Sequence, residues 1–153
     1  MSDLRIEPAT LDDLPELAEL LFDLFSLEAD FTPDRDKQVR GLRLILEQPS
    51  RGRIFVLRND RMIVGMINLL ITISTAEGGF VLLLEDLVVH REHRGRGLGK
   101  RLLQHAMGFA REKKFLRITL LMDPNERLLD FYRRQGFVDS ALHPMRCLLN
   151  NES

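Results

Sequence analysis

The sequence predicts an α/β sandwich: a mixed, mostly antiparallel central sheet flanked by about four helices, in a single domain over residues 1–153. Three observations predict it. The first third carries apolar residues at three-and-four spacing. The middle third changes to short runs rich in Ile, Val, Leu and Phe, punctuated by turn residues. After a glycine-rich loop the helical period returns, alternating once more with a short strand. Helices alternating with strands imply layers packed on one sheet.

Residues 4–7 form a short first strand. Thr10 then precedes a helix, with Asp13 three residues on in a capping-box position. Leu14, Leu17, Ala18, Leu21, Leu24 and Phe25 give that helix one apolar face. Residues 30–36 hold Pro33 and several acids and read as a loop. A second helix over residues 37–47 stops before Pro49. Residues 53–58, 62–74 and 80–89 are a strand meander, broken by Asn59-Asp60 and Glu77-Gly78-Gly79. A third helix runs from about Gly97 to Lys113, a strand occupies 117–122, and Asn125 caps a fourth helix over 126–135. Gly136 stands where a helix end favours a left-handed residue. Residues 137–138 and 145–149 look like closing strands.

Composition narrows the function. The chain has 153 residues, 44% hydrophobic and 29% charged, with a formal net charge of −1. A protein devoted to a nucleic-acid backbone would be clearly basic, so no nucleic-acid partner is expected. The single cysteine, Cys147, rules out a disulfide within one chain and favours a reducing compartment. No apolar stretch is long enough to span a bilayer, and the opening MSDLRIEPAT is not a signal peptide, so a cytoplasmic protein with no membrane partner is expected.

The most informative stretch is residues 80–106. A strand runs into a loop with Gly95, Gly97 and Gly99, and a helix begins inside that loop. A helix start offers unpaired amides and a positive dipole end, which suits phosphate, and Arg94 and Arg96 add charge. A P-loop fails because Arg101 stands where Ser or Thr is needed and the spacing is wrong. A dinucleotide fingerprint fails because Lys100 stands where its last glycine belongs. His90, Glu92 and His93 would not converge on one ion from an extended segment, so no metal is expected. The basic run HREHRGRGLGKR has no aromatic residue to stack bases.

What remains is Arg94-x-x-Gly97-x-Gly99, which fits the pattern R/Q-x-x-G-x-G/A. Downstream, Asn125, Tyr132 and Gly136-Phe137 fit N-x6-Y-x3-GF. With both motifs in order on the expected elements, the chain resembles the GNAT N-acetyltransferase superfamily over essentially its whole length. Locally, Leu84-Glu85-Asp86 and the segments around it look most like the diamine acetyltransferases, which act on polyamines.

The resemblance implies a function and a site. Acetyl-coenzyme A would be the co-substrate and a small-molecule primary amine the acceptor, with direct transfer in a ternary complex. Leu87, Val88 and Val89 would pair with the pantetheine arm and Asn125 would contact its other side. Arg94, Gly95, Arg96, Gly97, Leu98 and Gly99 would hold the pyrophosphate. Lys100 or Arg133 would reach the outer phosphate. An alkylamine is mostly protonated at neutral pH, so a base is needed: the subfamily's base falls on Glu85, with Asp86 its rival, because strand neighbours face opposite sides unless a bulge intervenes. Tyr132 would protonate the leaving thiolate. Cys147 lies away from both motifs and is given no acyl-enzyme role. The acidic residues Asp23, Glu28, Asp30, Asp34 and Asp36 would form a solvated face or attract a cationic acceptor. Relatives pair through late strands, which implies a homodimer about residues 145–149. A protein N-terminal or lysine acetyltransferase, or a non-catalytic acyl-CoA-binding module, is the alternative.

Overall fold

A computed structural model describes residues 4–27 and 32–150. Its elements run β1 (Leu4–Pro8), α1 (Leu14–Phe25), α2 (Arg35–Leu46), β2 (Gly52–Asn59), β3 (Met62–Ser74), β4 (Gly79–Val89), α3 (Leu98–Glu112), β5 (Ile118–Leu120) and α4 (Glu126–Arg134), with one-turn 3-10 helices at Leu11–Asp13 and Arg91–His93. The α/β class holds: five strands lie in the order β1-β2-β3-β4-β5, antiparallel except for the parallel β4–β5 pair. The chain divides into two compact units, Met1–Leu120 and Leu121–Ser153.

In the first unit, hairpin chemistry sets the meander. Asp60 turns β2 into β3 with a φ of 58°, and Gly78 helps turn β3 into β4 with a φ of 81°. The Ser74 hydroxyl oxygen accepts from the Glu77 amide at 3.0 Å and steadies the second turn. Alternation then gives the sheet two apolar faces. Ile54, Val56, Met66 and Val88 pack with α1 and α2 through Leu17, Leu21 and Leu42. On the opposite face, Phe55 meets His105 and Phe109 of α3 edge-on. A methyl group on Gly65 would come within 2.9 Å of Leu102 Cδ1, so the absent side chain is what lets α3 lie this close.

The start of α1 is held by charge. Asp13, 6% exposed, takes the Thr10 amide at 2.8 Å and the Arg58 guanidinium at 2.8 Å, and Arg58 also pairs with Glu7 on β1. Burial pushes the Asp13 carboxyl up, but the bonds from Arg58 and Thr10 outweigh it, so the net shift is downward.

In the second unit, Asn125 caps α4, its side-chain oxygen accepting from the Arg127 amide at 2.9 Å and the Leu128 amide at 3.3 Å. Gly136 follows with a φ of 100°, as a helix terminus favours. The closing strands expected at residues 137–138 and 145–149 are not there: neither stretch belongs to the five-stranded sheet. An apolar run becomes a strand only when a neighbour completes its ladder. No strand pairing is found for either stretch among the described residues, and Met145 and Leu149 are each 92% exposed.

Candidate active site

The centre of interest is β4. Its first half is paired on both edges: β5 matches Leu82, Leu83 and Leu84 with Ile118, Thr119 and Leu120. Beyond Leu84 and Leu120 that pairing stops, while β4 continues along β3 to Val89. Residues 86–89 therefore have β3 on one side and, among the described residues, no paired strand on the other.

A bulge sits where the strands part. Asn68 of β3 faces Asp86 and the adjacent Leu69 faces Leu84, so Glu85 is an extra residue with no partner on β3. The bulge changes which backbone groups meet the open edge. Before it, even-numbered residues serve β5: the Leu82 amide donates to Arg117 O at 2.9 Å and Phe80 O accepts from the Leu116 amide at 3.0 Å. After it, the His90 amide donates to Val64 O on β3 at 2.7 Å, which by alternation turns Val88 to β3 and aims Leu87 and Val89 at the open edge. Arg94 Nε already occupies Val89 O, at 3.1 Å.

The bulge also changes the faces. Leu84 pairs with Leu69 on the α3 face, while Asp86 pairs with Asn68 on the α1–α2 face, so Glu85 and Asp86 emerge together on the α1–α2 side. The strict alternation expected of strand neighbours is broken here. Their surroundings still differ: Glu85 is exposed, whereas Asp86 is buried and accepts from Asn68 Nδ2 at 2.9 Å.

The glycine loop follows β4 directly. Gly95 and Gly97 have φ of 80° and 74°, and nothing lies within 4 Å of where their side chains would be. Gly97 is the N-cap of α3, and its carbonyl accepts from the Arg101 amide at 3.1 Å. The amides of Leu98, Gly99 and Lys100 thus open the helix with no intrahelical acceptor. Arg94, Arg96 and Lys100 are exposed around them. His90 and His93 stack edge-on at 5.6 Å, and the His90 ring accepts from the Glu92 amide at 3.2 Å. Among the described residues no cluster of three His, Cys, Asp or Glu could hold a metal.

Of the acidic residues, Asp23 pairs with Arg91 at 3.3 Å, and Asp34 caps α2 by accepting from the Lys37 amide at 3.2 Å. Glu28 and Asp30 lie outside the described residues. In the second unit, Arg133 forms a two-pronged bond to Asp139 at 3.0 and 2.8 Å, so it would have to leave that partner to meet a phosphate. Tyr132 is packed between Phe131 and Phe137, at 5.0 and 5.5 Å, and burial pushes its phenol up to about 12. Cys147 is exposed.

The glycine loop and Glu85 lie on the elements expected for them, the loop before α3 and strand β4. Asn68 drew no attention in the sequence, where it is one amide in the middle of the apolar run MINLLI.

The class is thus an α/β domain whose central strands part beside a helix start suited to an anion. The chain belongs to the acetyltransferase (GNAT) family, whose model matches residues 14–137. Over 67 residues it is 40% identical to streptothricin acetyltransferase from Streptomyces lavendulae, covering 40% of this chain and 35% of that protein. Over 86 residues it is 34% identical to glucosamine 6-phosphate N-acetyltransferase from Trypanosoma brucei brucei, covering 56% and 57%. The matches thus span about a third to just over half of these relatives' lengths. The solved structure of an aminoglycoside acetyltransferase from an uncultured soil metagenomic sample, in complex with trehalose, superposes with a TM-score of 0.75 at 25% identity, covering 95% of this chain and 96% of that one.

Proposed function

We propose that this chain transfers the acetyl group of acetyl-coenzyme A directly to a primary amine of a small molecule. The observation that carries the reading is the parting of β4 from β5 at a bulge, immediately before a glycine-opened helix. An extended pantetheine arm finds backbone partners at Leu87 and Val89, while Val88 anchors that edge to β3. The pyrophosphate meets the amides at the start of α3, with Arg94, Gly95, Arg96, Gly97, Leu98 and Gly99 around it and Lys100 within the first turn. The Leu87 amide faces the opening and is a fitting donor to the thioester oxygen as charge develops.

Glu85 is the base. It lies beside the opening, exposed, on the face of α1 and α2, and takes the proton that the amine loses. The amine nitrogen attacks the thioester carbon, the C–S bond breaks, and the thiolate takes a proton. For Tyr132 the support is chemical: a phenol that titrates near 12 remains a donor at neutral pH. Asn125 keeps the contact with the arm that the family resemblance implies.

The named relatives act on streptothricin, glucosamine 6-phosphate and aminoglycosides. A cationic amine is the common expectation, and the local resemblance around Glu85 adds diamines. No helix among the described residues is long and apolar enough to cross a membrane. We place the protein in the cytoplasm, as a homodimer.

A thermal-shift titration with acetyl-coenzyme A tests the reading, followed by a panel of aminoglycosides, amino sugars and diamines with free thiol as readout. Binding at a hundred times Kd should stabilise the fold by about 2.7 kcal/mol. Gly97→Val places a branched side chain at a left-handed φ, a cost of about 1–3 kcal/mol at the phosphate loop. It should weaken acetyl-coenzyme A by at least about tenfold. No shift with the wild type, or undiminished binding by the variant, defeats the proposal.

A further inference from the structure

We propose that Asn68 is a positioning residue for Glu85, acting through Asp86. The inference rests on the acetyltransferase reading and on Glu85 as its base. Glu85 is held by the sheet less than any other residue in the middle of β4. It has no partner on β3, and it lies one residue past the last pair with β5. Its position is therefore set by Leu84 on one side, which the sheet grips at both edges, and by Asp86 on the other. Asp86 is tied to β3 by the side chain of Asn68, at 2.9 Å. Asn68 thus closes the downstream end of the bulge.

The chemistry of Asn68 argues that it is there for more than packing. It is 2% exposed on β3, two residues along the same face from Met66 of the core. Its Nδ2 is used by Asp86, but its Oδ1 is buried without a hydrogen-bond partner. A buried amide–carboxylate pair with one amide atom unsatisfied is worse for stability than an apolar pair of the same shape. Folding alone would be served as well by an apolar pair at positions 68 and 86, whereas an amide bonded to a carboxylate fixes the bulge beside the base. Misplacing a reacting group by about 1 Å costs up to about a hundredfold in rate.

Two variants of the full chain test this, assayed with an amine that the wild type acetylates. Asn68→Leu keeps the volume and removes the bond. The double swap N68D/D86N restores a carboxylate–amide bond with its direction reversed and the net charge unchanged. The expected result is a kcat lowered about tenfold to a hundredfold in Asn68→Leu, with KM for acetyl-coenzyme A within about twofold of wild type; the buried Asp86 carboxylate loses a donor, so the melting temperature should fall and the kinetics are read well below it. The swap should recover most of that kcat. Should Asn68→Leu fail to fold, Asn68→Ser, which is too short to reach Asp86, takes its place with the same expectation. A folded single variant with wild-type kcat overturns the proposal, as does a folded swap no faster than the single variant. A wild type that releases no thiol with any amine would overturn the acetyltransferase reading instead.

Discussion

The two halves of β4 share a strand and little else. Leu82 and Leu84 lie between β3 and β5 with 1% and 4% exposure. Past the bulge, residues 86–89 pair with β3 and with no other strand among the described residues, and the strand presents an exposed carboxylate at Glu85 and backbone groups of Leu87 and Val89. A strand gripped at both edges has spent its hydrogen bonds on the fold. A strand gripped at one edge has donors and acceptors left for a ligand, fixed in place by the half that is fully held. One extra residue separates a segment paired at both edges from one paired at a single edge.

The sharpest way to break this comparison is Glu85→Gln. The substitution keeps size and exposure and removes the basic carboxylate. If the open half does the chemistry, kcat should fall about a hundredfold to ten-thousandfold, with acetyl-coenzyme A affinity unchanged by calorimetry. A variant that turns over like the wild type would remove Glu85 from the mechanism and leave the bulge without a catalytic purpose.

The closed half should respond in the opposite way. Leu82→Ala deletes a side chain that is 1% exposed. Chemical denaturation should show a loss of about 2–5 kcal/mol, from transfer and cavity terms together. Steady-state kinetics well below the melting temperature should be close to wild type. A large kcat defect in a folded Leu82→Ala protein would mean that the two halves are not separable.

Much of this was legible in the sequence, and the reasons differ by element. Helix α1 declares itself because its apolar residues recur at helical spacing, and α3 because Gly97 and the basic loop mark where it begins. The meander is visible because Asn59-Asp60 and Gly78-Gly79 interrupt apolar runs. The bulge is not visible: LLLEDLVV reads as one even strand, and only pairing with Asn68 and Leu69 shows that Glu85 is supernumerary. Register is a property of two strands and belongs to neither sequence. The same principle defeated the expectation of strands at 145–149, where the apolar pattern was present and no strand pairing formed. The charge of Arg133, offered beside Lys100 for the outer phosphate, is local information, while its engagement with Asp139, six residues on across the end of α4, depends on the turn at Gly136.

A smaller effect sharpens the comparison from outside β4. Asp13, Arg58 and Glu7 tie the start of α1 to β1 and β2, and Asp13 is held below its ordinary value of 3.8 because the Arg58 and Thr10 bonds outweigh its burial. A carboxyl depressed in the folded state contributes stability that is fully present above its unfolded pKa and is lost as pH falls through the folded one. The contribution should therefore be complete above about pH 4 and fade below it. Asp13→Asn should cost about 1–3 kcal/mol at neutral pH, and urea melts repeated down to pH 2 should show the gap to wild type narrowing. Affinity for acetyl-coenzyme A should not move, since this cluster anchors the edge of the sheet farthest from the opening of β4. A gap that persists unchanged at pH 2 would show that Asp13 acts through packing and not through its charge.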